Sequence, residues 1–318
     1  MAWYVLRRIG QAVLVLWAAY TATFVILYLL PSDPVALQLA ANNVEVDSLT
    51  AEEREVAAAR LGLDVPVWQQ YLNLLGGALR GDFGTSYAKQ LPVSELLADR
   101  LPPTAILSGV AVVLALIFGV GIAFLATWLP RGPVATFLRR LPAVGVSVPN
   151  FWIGLLLIQV FAFTLGWFPS MGDEGAASYV LPAVTMAIPT SAVLAQVLVR
   201  SFDDTLGEPY IATARAKGLS RTAVQARHAF RNAALPALTI LGLLVGATVT
   251  GSIVVETVFS RNGLGRLAQE SVLAQDIPVV QAIVVVAAAA FVIVNLVVDL
   301  LYPLLDPRIA HTPKVSRA

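Results

Sequence analysis

Residues 104–129 read TAILSGVAVVLALIFGVGIAFLATWL and contain no charged side chain. A helix needs about 20 predominantly apolar residues to cross the hydrocarbon core of a bilayer. This stretch is long enough. In lipid a backbone must satisfy its own hydrogen bonds, and a helix does so within one segment. Five further stretches of the same kind occur along the 318 residues, at 9–30, 142–167, 180–199, 236–259 and 278–305. The sequence therefore predicts an all-α integral membrane protein with six spans.

Composition agrees. Hydrophobic residues make up 58% of the chain and charged residues 13%, about half the usual share in soluble domains. Mean hydropathy is +0.76. These values exclude a soluble globular domain, a disordered chain and a collagen. The net charge of +1 gives no reason to expect nucleic acid. With no cysteine there is no disulfide, thiolate metal site or cysteine nucleophile. The first apolar run is too long for a signal peptide and no A-x-A-like cleavage site follows it, so it reads as a retained anchor.

An even number of spans puts both termini on one side. That side carries 14 of the 21 basic residues, among them Arg7, Arg8, Arg139, Arg140, Arg215, Lys217, Arg227 and Arg308. The positive-inside rule then makes the termini cytoplasmic. Residues 31–103 form a long outer segment with more acid than base. Within it, Thr50 to Glu53 reads as a capping box opening a helix that stops at Gly62. A second amphipathic helix should follow, with Trp68, Tyr71, Leu72, Leu75 and Leu79 on one face. Gly81-Asp-Phe-Gly84 reads as a turn. A small structured cap is expected there.

Residues 200–235 form the long inner segment. Gly207 can end the extension of the fourth span, and Glu208 precedes Pro209 at a first helical position. A short helix should run from Pro209 to Lys217, stopped by Gly218 in a left-handed conformation. A second helix from about Arg221 should lead to Pro236.

No catalytic apparatus is visible. His228 and His311 form no metal-spaced pair. The three lysines, Lys89, Lys217 and Lys314, fit no phosphate-binding loop. Gly242 and Gly246 are spaced for close helix contact, a pattern common by chance. Polar residues within spans are costly, so Gln159, Gln196, Glu256, Asn295 and Asp299 are candidates for a translocation pathway. Interhelical hydrogen bonding, or a place at a span end, is the alternative explanation, and for Gln159 and Gln196 it is the favoured one. Five scattered side chains are too few for a proton relay of carboxylates.

The inner segment reads Tyr210-Ile-Ala-Thr-Ala-Arg-Ala-Lys-Gly-Leu219 and continues through His228-Ala-Phe-Arg-Asn-Ala233 to Pro236. It resembles the EAA loop of permease subunits of binding-protein-dependent ABC importers, in the form of the dipeptide, oligopeptide and nickel branch. Leu61-Gly-Leu-Asp64 with Pro66, Gln70-Tyr71, and Gly81-Asp-Phe-Gly-Thr-Ser86 resemble that branch's outer segment. Glu256-Thr-Val-Phe259 with Gly263-Leu-Gly265 resembles its fifth-span exit, and Asp299-Leu-Leu-Tyr302 with Leu305-Asp-Pro-Arg308 its C-terminus. The likeness covers nearly the whole chain in order. Ala212 stands where the general pattern has Glu, and Asn262 where the exit motif has Pro.

The resemblance implies a type I ABC importer fold in a bacterial inner membrane. It implies that Tyr210, Ala212, Thr213, Ala214, Arg215, Ala216, Lys217, Gly218 and Leu219 couple the chain to cytosolic ATPases. Small alanines would let the helix enter a groove closely, and Arg215 and Lys217 would meet acidic partners. The implied partners are a second related permease, two ATPases and an extracytoplasmic solute-binding protein. The chain itself would hold no cofactor; ATP and Mg would sit in the partner subunits. A di- or oligopeptide is the expected substrate, with nickel, glutathione or haem as family alternatives. A stand-alone secondary carrier or channel, or a membrane scaffold, is the competing reading, and in it the inner loop has no role.

Overall fold

The protein is described by a computed structural model covering residues 2–28, 56 and 65–305. The expected helix from Thr50 to Gly62 lies outside the described residues, apart from Val56. Among the described residues ten longer helices follow one another, with a short 3-10 turn at Ala176–Tyr179 between the fifth and the sixth: α1 (Ala2–Tyr28), α2 (Val67–Ala78), α3 (Val93–Trp128), α4 (Pro133–Ser147), α5 (Asn150–Thr164), α6 (Val180–Leu206), α7 (Pro209–Ala216), α8 (Arg221–Val258), α9 (Leu264–Leu273) and α10 (Ile277–Leu305). Among the described residues there is no strand, only an isolated bridge between Thr85 and Pro92. Five helices are long and apolar enough to cross a membrane, and α4 with α5 makes a sixth candidate.

Three expected boundaries differ from the structure; at one of them Pro236 lies inside α8 instead of opening a span. The second span is expected from Thr104, where the uncharged apolar stretch begins. The helix instead starts at Val93 and runs through Pro102 and Pro103 for 36 residues. The expected third span, residues 142–167, is a pair of helices meeting at 105°. Val148 precedes Pro149, and a pre-proline residue is pushed out of the helical region. Val148 is extended, with φ −97° and ψ 128°, so α4 ends at Ser147 and α5 restarts at Asn150.

The chain divides into two compact units. The larger is built mainly from residues 105–261. Its axis is α6, the helix with the largest buried share. Three glycines from three helices approach it. A Cβ on Gly119 of α3 would lie 2.9 Å from Leu194, and one on Gly145 of α4 would lie 2.9 Å from Ala192. One on Gly154 of α5 would lie 3.4 Å from Thr185. Two apolar clusters fill this unit. Leu198, Phe202, Ile211, Val224 and Ala233 lie in one, and Leu107, Ile158, Met186, Val255 and Phe259 in the other.

The second unit comprises residues 9–104 and 262–292. Val93, Leu96 and Leu97 pack with Leu264, Leu267, Val279 and Ile283. Thr104 Oγ1 accepts the backbone N–H of Leu264 at 2.8 Å, satisfying a donor at the start of α9. Gly81 and Gly84 have φ of 81° and 79°, and Asp82 Oδ1 accepts the Gly84 N–H at 2.9 Å. This is the turn read from the sequence, closed by an Asx bond.

Candidate functional site

The inner segment begins where α6 ends. Gly207 follows Leu206, Glu208 is extended, and Pro209 opens α7 with its ring already at a helical φ. Gly218 ends the turn with φ of +79°, a left-handed conformation in which a Cβ is strained. Its N–H reaches Arg215 O at 2.9 Å. Helix α7 is thus a two-turn projection with defined ends.

The two faces of α7 differ. Ile211 and Ala214 are buried, and both join the cluster that includes Phe202 of α6 and Val224 and Ala233 of α8. Tyr210, Ala212, Thr213, Arg215, Ala216, Lys217, Gly218 and Leu219 are exposed. Ala214 was expected on the outward groove-entering surface; it packs inward instead, because it lies three residues after Ile211 on one side of the helix. Tyr210 Oη accepts from Asn232 Nδ2 at 2.9 Å and donates to His228 O at 3.4 Å. The outward surface is therefore small and cationic, on a helix keyed into the spans by two apolar side chains.

A set of polar contacts that sequence reasoning missed fixes the return path. The last carbonyls of a helix have no partner within it. Arg221 Nη2 donates to Thr127 O and Leu129 O, both at 3.3 Å, at the end of α3. Trp128 Nε1 donates to Thr222 Oγ1 at 3.1 Å. Gln225 is buried, and its Nε2 donates to Thr127 Oγ1 at 2.7 Å and Phe124 O at 2.9 Å. Arg139 of α4 holds Asp203 of α6 through two bonds, Nη2 to Oδ1 at 2.9 Å and Nη1 to Oδ2. The residues flanking α7 thus bind the ends of α3 and α8 and link α4 to α6. An abundance of Arg, Gln and Thr near the span ends was the only sequence signal for them.

The five polar span residues differ in exposure. Gln159 on α5 and Gln196 on α6 are exposed. Glu256 is buried in α8. Asn295 of α10 is half-buried, and its Oδ1 occupies the place a Cβ on Gly242 would take. Gly242 is thus a point of close helix approach. Asp299 lies in α10, and its side chain is outside the described residues. A cavity of about 430 Å³ lies at the α4–α5 bend, lined by Phe118, Pro142, Trp152, Leu156 and Ile188. Its lining is apolar apart from Ser191, whose hydroxyl already donates to Ile188 O, so it holds no charge to pair with a charged solute.

Two buried charges anchor loops. Arg261 is 1% exposed. Its Nη1 donates to Ser178 O at 2.9 Å and Gly172 O at 3.2 Å, Nη2 lies 3.3 Å from Asp173 Oδ1, and the guanidinium stacks 3.9 Å over Tyr179. In the other unit, Asp276 Oδ1 accepts the N–H of Tyr87 at 3.0 Å, and its Oδ2 accepts the Ser86 hydroxyl. Nearby, burial alone would raise the Glu270 carboxyl. Lys89 at 3.0 Å and Arg266 at 3.1 Å outweigh burial and hold it below its ordinary value.

Residues 101–311 match the family described as binding-protein-dependent transport system inner membrane component, and residues 1–108 match its N-terminal membrane component. The glutathione transport system permease protein GsiC of Escherichia coli K12 is 38% identical over 309 residues, covering 97% of this chain and 99% of that protein. The protein of the same name from Shigella dysenteriae serotype 1 matches equally, at 38% over 309 residues. Among solved structures, an inward-facing form of the MetNI methionine ABC transporter aligns with a TM-score of 0.56 at 13% identity, covering 66% of this chain and 96% of that one. A second inward-facing form aligns with a TM-score of 0.52 at 15% identity over the same shares. That likeness places the fold among type I importer permeases. The chain belongs to the binding-protein-dependent transport system inner membrane component family and is a permease subunit of an ABC importer.

Proposed function

We propose that this permease imports short peptides of the glutathione type and receives its driving force through α7. The observation that carries the coupling role is the division of that helix. Its outward face presents Tyr210, Ala212, Arg215, Ala216 and Lys217, while Ile211 and Ala214 are set in the same apolar cluster as α6 and α8. A push on the outward face therefore acts on two spans at once. Arg221 and Gln225 extend that reach to the end of α3. Small alanines admit close approach by a partner, and the cationic end suits acidic residues at a groove rim.

The partners are cytosolic ATPases that supply ATP and Mg, a second permease completing the pathway, and an extracytoplasmic binding protein that delivers solute. The chain holds no cofactor of its own. It sits in the bacterial inner membrane with both termini in the cytoplasm, as the bias of its basic residues favours. ATP binding draws the ATPases together, α7 moves with them, and the spans exchange inward- and outward-open states. The glutathione assignment is supported by the name carried by relatives that match over nearly their whole length.

Gly218→Val is the decisive substitution. A β-branched residue at φ +79° strains the turn by about 1–2 kcal/mol and redirects α7 without touching the spans. Proteoliposomes holding the assembled complex should lose ATP-dependent uptake of labelled glutathione, with membrane insertion normal. Full uptake by this variant would overturn the coupling role. Uptake of other peptides but not glutathione by the unmodified complex would overturn the substrate.

A further inference from the structure

Helix α2 shows an apolar face that the described residues leave open. None of its residues is buried. Trp68 and Leu72 are 65% and 54% exposed, and Leu79, which follows α2 with helical backbone angles, is 81% exposed. At roughly 100° per residue these three fall within about 40° of one another. Tyr71 points about 80° to one side of that stripe, with Leu74 and Ala78 beyond it, and Gln70 and Asn73 lie on the far side. The helix therefore has three sectors, apolar, packed and polar, in that order around its circumference.

The packed sector fixes the depth. Tyr71 Oη is 2.8 Å from Thr21 Oγ1 of α1, and its ring meets Tyr20 and Phe24 edge-on at 5.9 and 5.2 Å. Those residues lie six to ten positions before Leu30, where the first apolar stretch of the sequence ends. At 1.5 Å per residue that is about 9–15 Å from the end of a spanning helix. Amphipathic helices in the membrane interface sink about 5–10 Å into the boundary between headgroups and acyl chains. The depth set by Tyr71 overlaps that range. Tryptophan is favoured at that level, and Arg80 at the end of the helix can extend its charge to water.

We propose that α2 lies in the plane of the membrane–water boundary, with Trp68, Leu72 and Leu79 in phospholipid acyl chains, Tyr71 against α1, and Asn73 towards water. The occupant of the open face is the lipid leaflet itself, continuous with the lipid around the C-terminal end of α1. This assignment is independent of substrate and of the coupling role of α7.

The chain has no cysteine, so single cysteines can be labelled without background. Leu72→Cys, Leu79→Cys and Asn73→Cys, each carrying a nitroxide in the assembled complex in phospholipid vesicles, are compared by collision with oxygen and with a water-soluble nickel chelate. Labels at 72 and 79 should be relaxed by oxygen and shielded from nickel, and the label at 73 should show the reverse ratio. Nickel access at both 72 and 79 would place the stripe in water. Shielding of both from both relaxants would show a protein cover. Either result overturns the proposal, and uptake measured on the same vesicles reports separately on transport.

Discussion

Asp276 shows how one buried carboxylate holds a loop in place. It is 1% exposed, yet it sits where backbone donors converge. Its oxygens accept the N–H groups of Tyr87 at 3.0 Å and Ala88 at 3.3 Å, and the Ser86 hydroxyl. That hydroxyl in turn accepts the Lys89 N–H at 2.9 Å. A buried donor left without a partner costs about 1–3 kcal/mol. Asp276→Ala strands two buried donors, the Ser86 hydroxyl and the Tyr87 N–H, while the N–H of exposed Ala88 can turn to water, so it should destabilise by about 2 kcal/mol or more. Asp276→Asn keeps one acceptor oxygen and should cost less. Thermal unfolding of the purified chain in detergent measures both, and an unchanged melting point in the alanine variant would show that water replaces the carboxylate. Arg261 plays a similar part for the segment at Gly172–Tyr179, with its charge spread over two carbonyls, Asp173 and an aromatic face.

Among elements, packing around α6 depends on the absence of side chains. A Cβ on Gly145 would fall 2.9 Å from Ala192 on α6, closer than side-chain carbons approach, whereas nothing lies within 4 Å of the position a Cβ would take on Gly121. Gly145→Ala should therefore push α4 off α6 at about 1–3 kcal/mol, the usual cost of overpacking. Gly121→Ala should be neutral or slightly stabilising, since alanine is the better helix former. Melting points of the two variants in detergent give the comparison; equal values would mean that α4 can shift at no cost. The contrast explains what the sequence could and could not reveal. Gly207, Glu208, Pro209 and Gly218 act through their own backbone preferences, so the ends of α7 were readable. The extension of α3 back through Pro102 and Pro103 to Val93 was not readable, because hydropathy marks the apolar part of a helix and not the polar turns that tertiary contacts hold. The α4–α5 bend depends on Val148 and Pro149 acting together inside an apolar run, where hydropathy sees one span. Asp276 and Arg261 were invisible as anchors, since their partners lie 83–190 positions away in the chain.

For the whole molecule, the spans are unevenly buried. The most apolar windows are 17% buried in α1, 28% in α3 and in α8, and 33% in α10, against 56% in α6. An importer permease works inside a larger assembly, and such surfaces are where lipid and partner subunits meet it. Apolar side chains there are indifferent to lipid or protein, but amide side chains are not. Gln196 is exposed on α6, a helix otherwise set in the core, and an unpaired amide against acyl chains is unfavourable by roughly 2 kcal/mol or more. Its neighbour in the assembly should therefore be polar: water in the pathway or the second permease proposed above. If the pathway is the answer, Gln196→Cys in the assembled complex should react with a charged, membrane-impermeant thiol reagent, and its rate should change when ATP and vanadate trap the ATPases. The absence of native cysteine makes that rate attributable to one position. Protection in every nucleotide state, together with cross-linking to the second permease, would move Gln196 from the pathway to the subunit interface. The same residue would then still explain why α6 carries a polar side chain in a membrane, since both surroundings satisfy the amide and lipid does not.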